Sequence, residues 1–453
     1  MNKTADAALS RPELPETFLK AQRELLGGDF EAYFEALTRP PVRGLTVNRL
    51  KLSPADFEAL SPFPLRPASV EGGFELTGGG NFGLHPYHAA GLYYLQEPSA
   101  MCAADLLRGR TGRRVLDLCA APGGKSAQLL SLLPEDGILV SNEPVPERAR
   151  ILVQNLERLG AGRSMVTCLS PERLAALLPG FFDAVAADVP CSGEGMFRKD
   201  PGAARYWSPK AVLSCARRQT GILAAAAELV APGGFLVYST CTFNRTENEG
   251  VVEEFLAGHP DFSPVEAPLL PGLLPGGVPG SRRAMPHLFP GEGQFACLLR
   301  RAEGEVPSPA PVLPFDPLTK REEAELNAAL RDWLGEVPEG AFRRRGETFF
   351  LVPPLPPAPA LTAGVALAVA EKGRLEPHHH LSHALPLSAW RQSLSLSPED
   401  PDLARYLAGE TLSGPGSGFG ALAVGTFPLG LFKAAGGVLK NRFPKGLRFR
   451  LPR

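Results

Sequence analysis

The apolar positions between residues 106 and 301 alternate between short continuous runs and runs with helical spacing. The continuous runs predict strands at 113–118, 137–142, 164–168, 182–188 and 233–239. The runs with helical spacing predict helices at 125–133, 145–160, 171–178 and 209–231. Two further runs, 284–289 and 294–301, predict an antiparallel hairpin. Alternating strands and helices closed by an antiparallel element indicate a doubly wound α/β domain over 106–301.

The segments on either side of this domain have mixed patterns. Helical spacing from Leu14 to Phe34, short apolar runs and a Gly-rich stretch predict an N-terminal α+β module, 1–105, that positions substrate. A Pro-rich break at 306–311 predicts a linker. It opens a first C-terminal α+β module, 302–372, in which helical spacing covers Leu318 to Leu334.

A second C-terminal module is assigned to 373–453, and its end is basic. The stretch from 436 onwards carries Lys and Arg residues and no acidic residue. Alternation from Leu447 to Leu451 predicts a strand with one basic face. Such a strand suits contact with an RNA backbone, and it equally suits a solvated edge strand whose Arg residues block aggregation. The pattern leaves both interpretations open.

Composition narrows the class of protein. Of the 453 residues, 44% are hydrophobic and 21% are charged, and no apolar run approaches the roughly 18–20 residues of a membrane span. The first residues lack the apolar core of a signal peptide, so we expect a cytoplasmic protein without a membrane partner. We also expect a monomer. Because the net charge is −1, any binding of nucleic acid must come from local patches.

Cysteine and histidine spacing gives no metal motif. The seven cysteines include no C-x-x-C pair, which predicts free thiols. His378, His379 and His380 have no cysteine partners at ligand spacing. The three histidines are therefore interpreted as a surface loop, and no metal site is expected.

The stretch from Val115 to Ser126, VLDLCAAPGGKS, organises the domain. A buried strand leads into a Gly turn and a helix, which places N–H groups at the carboxyl end of a parallel sheet. Cys119 stands where a P-loop needs Gly, and the dinucleotide fingerprint is absent. Glu143 lies near the offset of roughly 20 residues at which such folds bind ribose hydroxyls. A cofactor with a ribose and no pyrophosphate fits, and S-adenosylmethionine is the obvious one. The alternative is a tight turn with a solvated Glu143.

Two cysteines follow neighbouring predicted strands. Cys191 comes three residues after Asp188, and Cys241 follows the next strand. Both would lie at the carboxyl edge of the sheet, where ligands bind, although a lone cysteine is more often a small buried hydrophobe. Methyl transfer to carbon 5 of a pyrimidine needs a thiolate on carbon 6, a carboxyl group at N3 and a further group for release. The base must also be held outside any duplex.

Four motifs together resemble the RNA 5-methylcytosine methyltransferase family, the Nol1/Nop2/Sun group. They are DLCAAPGGKS, DVPCSGEGMFR, STCTFNRTENE and HLFPGEG, and the resemblance covers about 94–301. It implies a Rossmann-like S-adenosylmethionine-dependent core with PUA-like RNA-binding modules at the C-terminus. Members with two further C-terminal modules act on cytidines in the decoding region of 16S rRNA. The resemblance therefore implies 16S rRNA or the 30S subunit as the partner.

The resemblance also implies roles for individual residues. Cys241 would be the nucleophile, Cys191 would assist release, and Asp188 would engage the cytosine and lie near the cofactor methionine. Glu143 would hold the ribose, and Arg148 is either a further cofactor contact or a helix-surface arginine. Lys125 would pair with Asp188. The cofactor loop would consist of Cys119, Ala120, Ala121, Pro122, Gly123, Gly124 and Lys125.

One departure from the family pattern concerns the third strand. The turn Cys168-Leu169-Ser170 lacks the Asp that members commonly use toward the adenine amino group. Ser170 or a backbone group would have to serve. The remaining cysteines match no catalytic motif and are assigned to packing; they are Cys102, Cys168, Cys215 and Cys297.

Three other functions compete with this interpretation. A methyltransferase-like RNA-binding or assembly factor without turnover is disfavoured by the intact Asp188, Cys191 and Cys241. A DNA cytosine-5 methyltransferase would use the Pro-Cys cysteine as nucleophile and would not require a second one. A nucleotide hydrolase is weakened by Cys119, where a P-loop needs Gly.

Overall fold

The computed structural model describes residues 14–267, 269–305 and 309–451. The first thirteen residues, on which the leader prediction rests, and part of the predicted linker lie outside the described residues. The helices in chain order are α1 (Glu16–Leu26), α2 (Phe30–Ala36), α3 (Pro54–Leu60), α4 (Pro86–Ala89), α5 (Pro98–Asp105), α6 (Gly124–Leu132), α7 (Pro146–Leu159), α8 (Pro171–Leu177), α9 (Pro209–Leu229), α10 (Glu249–Gly258), α11 (Lys320–Trp333), α12 (His379–Ala384) and α13 (Pro401–Leu407). Among the described residues, no helix combines the length and the apolar character that crossing a bilayer requires.

The strands form four sheets. In chain order they are β1 (Gly44–Val47), β2 (Leu65–Pro67), β3 (Gly73–Leu76), β4 (Tyr93–Leu95), β5 (Arg114–Asp117), β6 (Ile138–Asn142), β7 (Ser164–Thr167), β8 (Phe182–Asp188), β9 (Val230–Thr240), β10 (Phe262–Pro264), β11 (Leu273–Pro275), β12 (Ser281–Ala284), β13 (Gln294–Arg301), β14 (Asp316–Pro317), β15 (Ala341–Arg345), β16 (Thr348–Val352), β17 (Thr362–Ala363), β18 (Val365–Glu371), β19 (Arg374–Pro377), β20 (Ser393–Leu396), β21 (Leu412–Ser413), β22 (Gly418–Val424), β23 (Phe427–Ala435) and β24 (Val438–Asn441).

The largest sheet contains five parallel strands in the order β7-β6-β5-β8-β9. Leu116, Val140 and Val185 in these strands are fully buried, because helices cover both faces of the sheet. The strand order reverses between β5 and β8, and a ligand binds at such a switch point, beyond the carboxyl ends of the strands. The predicted strands and helices of this domain agree with the observed ones within about three residues at each end.

The antiparallel closure differs from the predicted hairpin. Strand β13 pairs antiparallel with β9 and with β12, and β12 is Ser281–Ala284 rather than 284–289. Pro286 has no N–H to give to a ladder, and the chain turns there: the N–H groups of Leu288 and Phe289 both donate to Met285 O. The prediction of the first hairpin strand was therefore wrong in its position.

The N-terminal segment forms an antiparallel sheet in the order β2-β3-β1-β4. Helix α3 begins as the sequence indicates, because Ser53 Oγ accepts the N–H of Asp56. Strand β4 brings Tyr94 against the Gly turn of the large sheet, where a Cβ on Gly124 would lie 3.2 Å from the Tyr94 ring. The N-terminal segment therefore supports that turn directly.

The C-terminal chain forms two five-stranded sheets, in the orders β14-β15-β16-β18-β19 and β20-β22-β23-β24-β21. The short strand β17 lies between β16 and β18 in the sequence, but it pairs antiparallel with β7 at the edge of the large sheet. Leu361 N–H also donates to Val166 O at 2.7 Å. The large sheet is thus completed by residues from the C-terminal half.

Two expectations for the C-terminal half are wrong. The stretch Leu447 to Leu451 is not a strand: a 3₁₀ turn covers Lys445–Leu447, and Phe449 N–H then donates to Leu407 O. The histidines do not form a surface loop, because His379 and His380 begin helix α12, in which His380 is buried. Local sequence did not reveal that α12 packs against α7, β18 and β23.

Candidate active site

The turn after β5 is fixed by close contacts on both sides. Gly123 has φ +117°, in the region that favours glycine, and a Cβ there would lie 3.2 Å from Leu152 Cδ1. The Ala121–Pro122 peptide bond is cis. No side chain caps the N-terminus of α6, so its first N–H groups remain available to an anionic group of a ligand.

A buried carboxyl group lies beneath this turn. Asp117 Oδ2 accepts a hydrogen bond from Ser126 Oγ at 2.7 Å, and Ser126 Oγ is 2.9 Å from Ser141 Oγ. Burial raises the pKa of Asp117 to about 7. Its Oδ1 has no hydrogen-bond partner within the described residues. Asp117 therefore joins the start of α6 to β6 and leaves one polar atom unsatisfied.

Glu143 and Arg148 lie beside the same turn. The Glu143 side chain is 1% exposed; its Oε1 accepts the N–H of Val145 at 3.0 Å, and its Oε2 is 3.3 Å from Arg148 Nη1. Arg148 Nη2 donates to Ala121 O at 2.8 Å. Arg148 thus connects the cofactor-type loop to the acid at the end of β6, and it is more than a helix-surface arginine.

The turn after β7, Cys168-Leu169-Ser170, has no acidic side chain. Ser170 Oγ accepts the N–H of Arg173 and caps α8, and Cys168 Sγ lies 3.6 Å from Pro144 O. Asn142 joins the strand ends, since its Oδ1 accepts from Thr167 Oγ1 at 2.7 Å and its Nδ2 donates to Leu118 O. Ser170 Oγ is thus engaged as the acceptor of the helix cap.

The two cysteines that follow β8 and β9 meet. Cys191 Sγ and Cys241 Sγ are 3.2 Å apart, and both cysteines are free and half-buried. The hydrogen bond to Cys241 and burial raise the pKa of Cys191 well above the usual 9.0. Cys191 therefore keeps its proton at neutral pH, within hydrogen-bond distance of Cys241 Sγ.

Asp188 is held at the end of β8 by three polar groups. Lys125 Nζ lies 2.7 Å from Asp188 Oδ2, as expected from the sequence. Ser239 Oγ and Gln294 Nε2 both donate to Asp188 Oδ1, at 2.7 and 3.0 Å. Burial lowers the pKa of Lys125, but the contact with Asp188 and the charges of other neighbours, Asp117 among them, together outweigh burial and raise this pKa above 10.5. Lys125 therefore carries its positive charge at neutral pH beside Asp188.

Glu194 connects the two cysteine loops. Its carboxylate accepts the N–H groups of Phe243 and Asn244, at 2.8 and 3.0 Å, two and three residues after Cys241. Trp207 Nε1 donates to its other oxygen at 3.0 Å. Three N–H donors on one buried carboxylate fix its position, so the loop that follows β9 is held against the loop that carries Cys191.

Glu247 makes a second connection between the same loops. Its carboxylate accepts the N–H of Ser192 at 2.9 Å and the amide groups of Gln219 and Asn244, both at 2.8 Å. Ser192 Oγ also lies 2.9 Å from Thr242 Oγ1. The residues that follow Cys191 are therefore hydrogen-bonded to the residues that follow Cys241 through both Glu194 and Glu247.

The HLFPGEG stretch, residues 287–293, packs against these loops. Arg198 and Glu292, whose side chains are 3% and 2% exposed, form an ion pair at 2.8 Å. Gly195 N–H donates to Cys241 O at 2.9 Å, and a Cβ on Gly195 would lie 2.9 Å from Glu292 O. The three segments thus pack backbone against backbone, and a larger side chain at position 195 does not fit.

Sequence reasoning missed these connecting residues. Glu194 and Glu247 stand in motifs that carried the resemblance, but neither was given a role. The signal was available in STCTFNRTENE, where amide and acidic side chains follow Cys241 at intervals of three and four residues. Gln294 and Ser239 gave no such signal, since only the sheet brings them to Asp188.

The other cysteines lie apart from this pair. Cys102 and Cys297 are buried, whereas Cys168 and Cys215 are partly exposed, so packing accounts fully for the first two. Within the described residues, no cluster of three or more His, Cys, Asp or Glu side chains could hold a metal ion.

Three family models match the chain. The model for 16S rRNA methyltransferase RsmB/F matches residues 104–300. The model for the N-terminal domain of 16S rRNA methyltransferase RsmF matches residues 14–98. The methyltransferase RsmF PUA domain matches residues 393–449, which confirms the PUA-like expectation for the C-terminus.

Curated relatives are similar along almost the whole chain. Ribosomal RNA small subunit methyltransferase F of Klebsiella pneumoniae (strain 342) is 32% identical over 465 residues, which cover 96% of each chain. The protein of the same name from Escherichia coli O7:K1 is 31% identical over 466 residues, again 96% of each chain. The one from Cronobacter sakazakii is 37% identical over 339 residues, 70% of each chain.

Solved structures share the fold. A methyltransferase homolog protein from Pyrococcus horikoshii is 27% identical with a TM-score of 0.57, over 64% of this chain and 96% of that one. NSun6 from Pyrococcus horikoshii with SFG is 20% identical with a TM-score of 0.58, over 65% and 100%, and shows the fold alone. The chain therefore belongs to the ribosomal RNA small subunit methyltransferase F family of the Nol1/Nop2/Sun group, and it is an S-adenosyl-L-methionine-dependent rRNA methyltransferase.

Proposed function

We propose that this protein methylates carbon 5 of cytidines in the decoding region of 16S rRNA through a covalent bond between Cys241 and carbon 6. The observation that carries the proposal is the 3.2 Å distance between Cys191 Sγ and Cys241 Sγ, with Asp188 at the same sheet edge. Two thiols and a carboxylate are the groups that the reaction requires. A cofactor site formed by the β5–α6 turn lies beside them.

The residues at the turn fit the groups of S-adenosyl-L-methionine. The uncapped N–H groups of α6 suit its carboxylate, and Glu143, oriented by Val145 and Arg148, suits the ribose hydroxyls. Residues 119–125, Glu143, Arg148 and Asp188 would hold it. When bound, the cofactor supplies an electrophilic methyl group. The overall conversion would yield 5-methylcytidine, S-adenosyl-L-homocysteine and one proton.

Attack on the base falls to Cys241. Cys241 interacts electrostatically with the Lys125 ammonium, and its sulfur lies within hydrogen-bond distance of the Cys191 sulfur. The S–C6 bond forms, and the C5–C6 π electrons move toward C5, which becomes nucleophilic. Asp188, oriented by Ser239 and Gln294, would contact N3, where a proton shared between its carboxyl group and N3 offsets the negative charge that develops in the ring and returns to Asp188 when the S–C6 bond breaks.

Release falls to Cys191. Its raised pKa makes it a strong base once its proton has passed to solvent. It then takes the proton from C5, the C5–H electrons restore the C5–C6 double bond, and the S–C6 bond breaks. Cys241 leaves as a thiolate and Cys191 is again a thiol, so the cycle closes with one proton released.

A covalent-trapping experiment tests the proposal. Wild type, Cys191→Ala and Cys241→Ala are incubated with S-adenosyl-L-methionine and 30S subunits or 16S rRNA, and adducts are resolved on a denaturing gel. We expect Cys191→Ala to retain RNA covalently and Cys241→Ala to retain none and to transfer no methyl groups. Cys215→Ala, a half-buried cysteine on α9, is the control and should behave as wild type.

The outcomes separate the competing functions. Adducts from Cys241→Ala instead of Cys191→Ala would reverse the two roles, as in a DNA-type mechanism. RNA binding without adducts or methyl transfer in any variant would favour a catalytically inactive assembly factor. Methyl incorporation by Cys241→Ala at more than a trace level would refute Cys241 as nucleophile.

A further inference from the structure

Tyr206 is an exposed aromatic side chain close to the cysteine loops. It ends the 3₁₀ helix Pro201–Tyr206, and 86% of its surface is accessible, far more than for any other large hydrophobic residue in the described chain. Its neighbour Trp207 is buried and donates its indole N–H to Glu194. The tyrosine is therefore presented to solvent from a residue that is itself fixed to the cysteine loops.

Exposed lysine and arginine residues precede and follow Tyr206 in the sequence. The stretch from 197 to 218 has one acidic residue, Asp200, whose Oδ1 already accepts the N–H of Gly202. Its buried cation, Arg198, pairs with Glu292. Within the described residues the exposed cations of the stretch form no ion pair; they are Lys199, Arg205, Lys210, Arg217 and Arg218. In a chain of net charge −1 this stretch therefore has a local excess of exposed positive charge.

This surface adjoins the cysteine loops at both of its ends. It begins after Glu194, which accepts hydrogen bonds from Phe243 and Asn244. It ends at Gln219, whose Nε2 donates to Pro190 O, next to Cys191. A groove of about 610 Å³ between this stretch and the N-terminal sheet is lined by Lys199, Arg43 and Gln96 among others.

We propose that the Tyr206 surface, defined as Tyr206 with the exposed cations of 197–218, binds single-stranded RNA next to the target cytidine, with Tyr206 stacking on a flanking base. The inference rests on the proposed function, since it assigns where the RNA strand lies relative to Cys241. Unpaired cations suit phosphates, and an exposed ring suits an unstacked base.

The chemistry of the reaction creates a need for such a residue. A cytosine that leaves its stack to reach Cys241 deprives its neighbour of a stacking partner, at a cost in free energy. A ring fixed beside the site replaces that partner without reading the sequence, because every base has a π face. Tyr206 acts on the flanking nucleotide, so it is a positioning residue and not a catalytic one.

Substitutions at Tyr206 test the stacking. We expect Tyr206→Ala to weaken binding of naked 16S rRNA by about tenfold, to raise KM for the RNA in parallel, and to leave kcat at saturating RNA unchanged. Tyr206→Phe keeps the ring and should bind as wild type. The side chain is exposed, so both variants should keep the wild-type melting temperature.

Substitutions of the cations test the electrostatic part. The double variant Lys199→Gln/Arg205→Gln should reduce the slope of log K against log salt, by about 0.7 for each phosphate that is no longer neutralised. The matched control is Arg113→Gln/Arg300→Gln, which removes two exposed arginines near the opposite edge of the large sheet. The control should leave the salt slope at the wild-type value.

The outcomes distinguish this inference from the proposed function. If wild type forms 5-methylcytidine and Tyr206→Ala binds naked rRNA as tightly as wild type, the Tyr206 surface is refuted while the function stands. A loss with 30S subunits but not with naked rRNA would indicate a ribosomal protein as occupant, and would also overturn the inference. If wild type transfers no methyl group to carbon 5, the proposed function fails first.

Discussion

Cys191 and Cys241 have different surroundings although their sulfur atoms are 3.2 Å apart. The hydrogen bond to Cys241 and burial raise the pKa of Cys191 and keep its proton on the sulfur, whereas Cys241 interacts electrostatically with the ammonium of Lys125. The same chemical group can therefore serve as nucleophile at one position and as proton carrier at the other. The difference comes from neighbours on other strands, so it could not be predicted from either cysteine's own motif.

We predict that mild oxidation joins Cys191 and Cys241 in a disulfide. Diamide should convert the two thiols to a disulfide, with two S–H bonds broken, one S–S bond formed and diamide reduced to the hydrazine, because the sulfur atoms are already in contact. Free thiols should fall by two, methyl transfer should stop, and dithiothreitol should restore both. Cys215→Ser should respond as wild type and Cys191→Ser should not cross-link. Loss of activity without loss of these thiols would contradict the geometry.

The elements of the parallel sheet could be predicted because their information is local. Apolar runs bounded by Gly and Pro predicted β5 to β9 within about three residues at each end, and the Gly turn predicted the start of α6. Residues 447–451 alternate as in a strand, so the local sequence predicts one. The structure differs because the Phe449 N–H donates to Leu407 O and not to a neighbouring strand. The histidines of α12 were misplaced for the same reason: their burial comes from distant elements.

The conformation of the turn at Gly123 should determine the affinity for the cofactor. Gly123→Ala puts a Cβ 3.2 Å from Leu152 at φ +117°, so the turn must shift. We expect affinity for S-adenosyl-L-methionine to fall by about tenfold, or about 1.4 kcal/mol, measured by calorimetry. Gly373→Ala is the matched control, since Gly373 also has positive φ but open space around it. The control should lose stability and keep its affinity; equal affinity in both variants would contradict the argument.

At the scale of the whole molecule, helix α12 lies where all parts of the chain meet. His383 Nε2 is 3.2 Å from His379 Nε2, and Lys51 of the N-terminal segment and Arg158 of α7 face the cluster. Burial, followed by the like charge of neighbouring groups, lowers the pKa of His379 and of His380 to about 3. The junction is therefore assembled with neutral imidazoles beside the cationic Arg158 and beside Lys51, whose pKa burial lowers to about 7.

Because the histidines of α12 are neutral in the folded chain, we predict that the stability of the protein falls in acid. Between the unfolded pKa near 6.5 and the folded values near 3, the unfolded chain binds more protons, so stability rises with pH. The contribution of these histidines to the free energy of unfolding should be fully present above about pH 6.5 and should fall as the pH drops below that value. Urea unfolding at about pH 7.5 and about pH 5 measures the difference. His379→Gln/His383→Gln should flatten this dependence, and His259→Gln, at the end of α10, should not. A wild-type midpoint independent of pH would rule the mechanism out.

Strand β17 decides how far the modules of this protein can be exchanged. Its two residues, Thr362 and Ala363, occupy the outer edge of the large sheet beside β7, some sixty residues beyond β13. A chimaera that joins this catalytic domain to a foreign RNA-binding domain after residue 301 would leave β7 as an open edge, free to pair with other chains. The C-terminal chain is thus part of the catalytic domain's own architecture, and recombination between family members must carry residues 361–364 with the core.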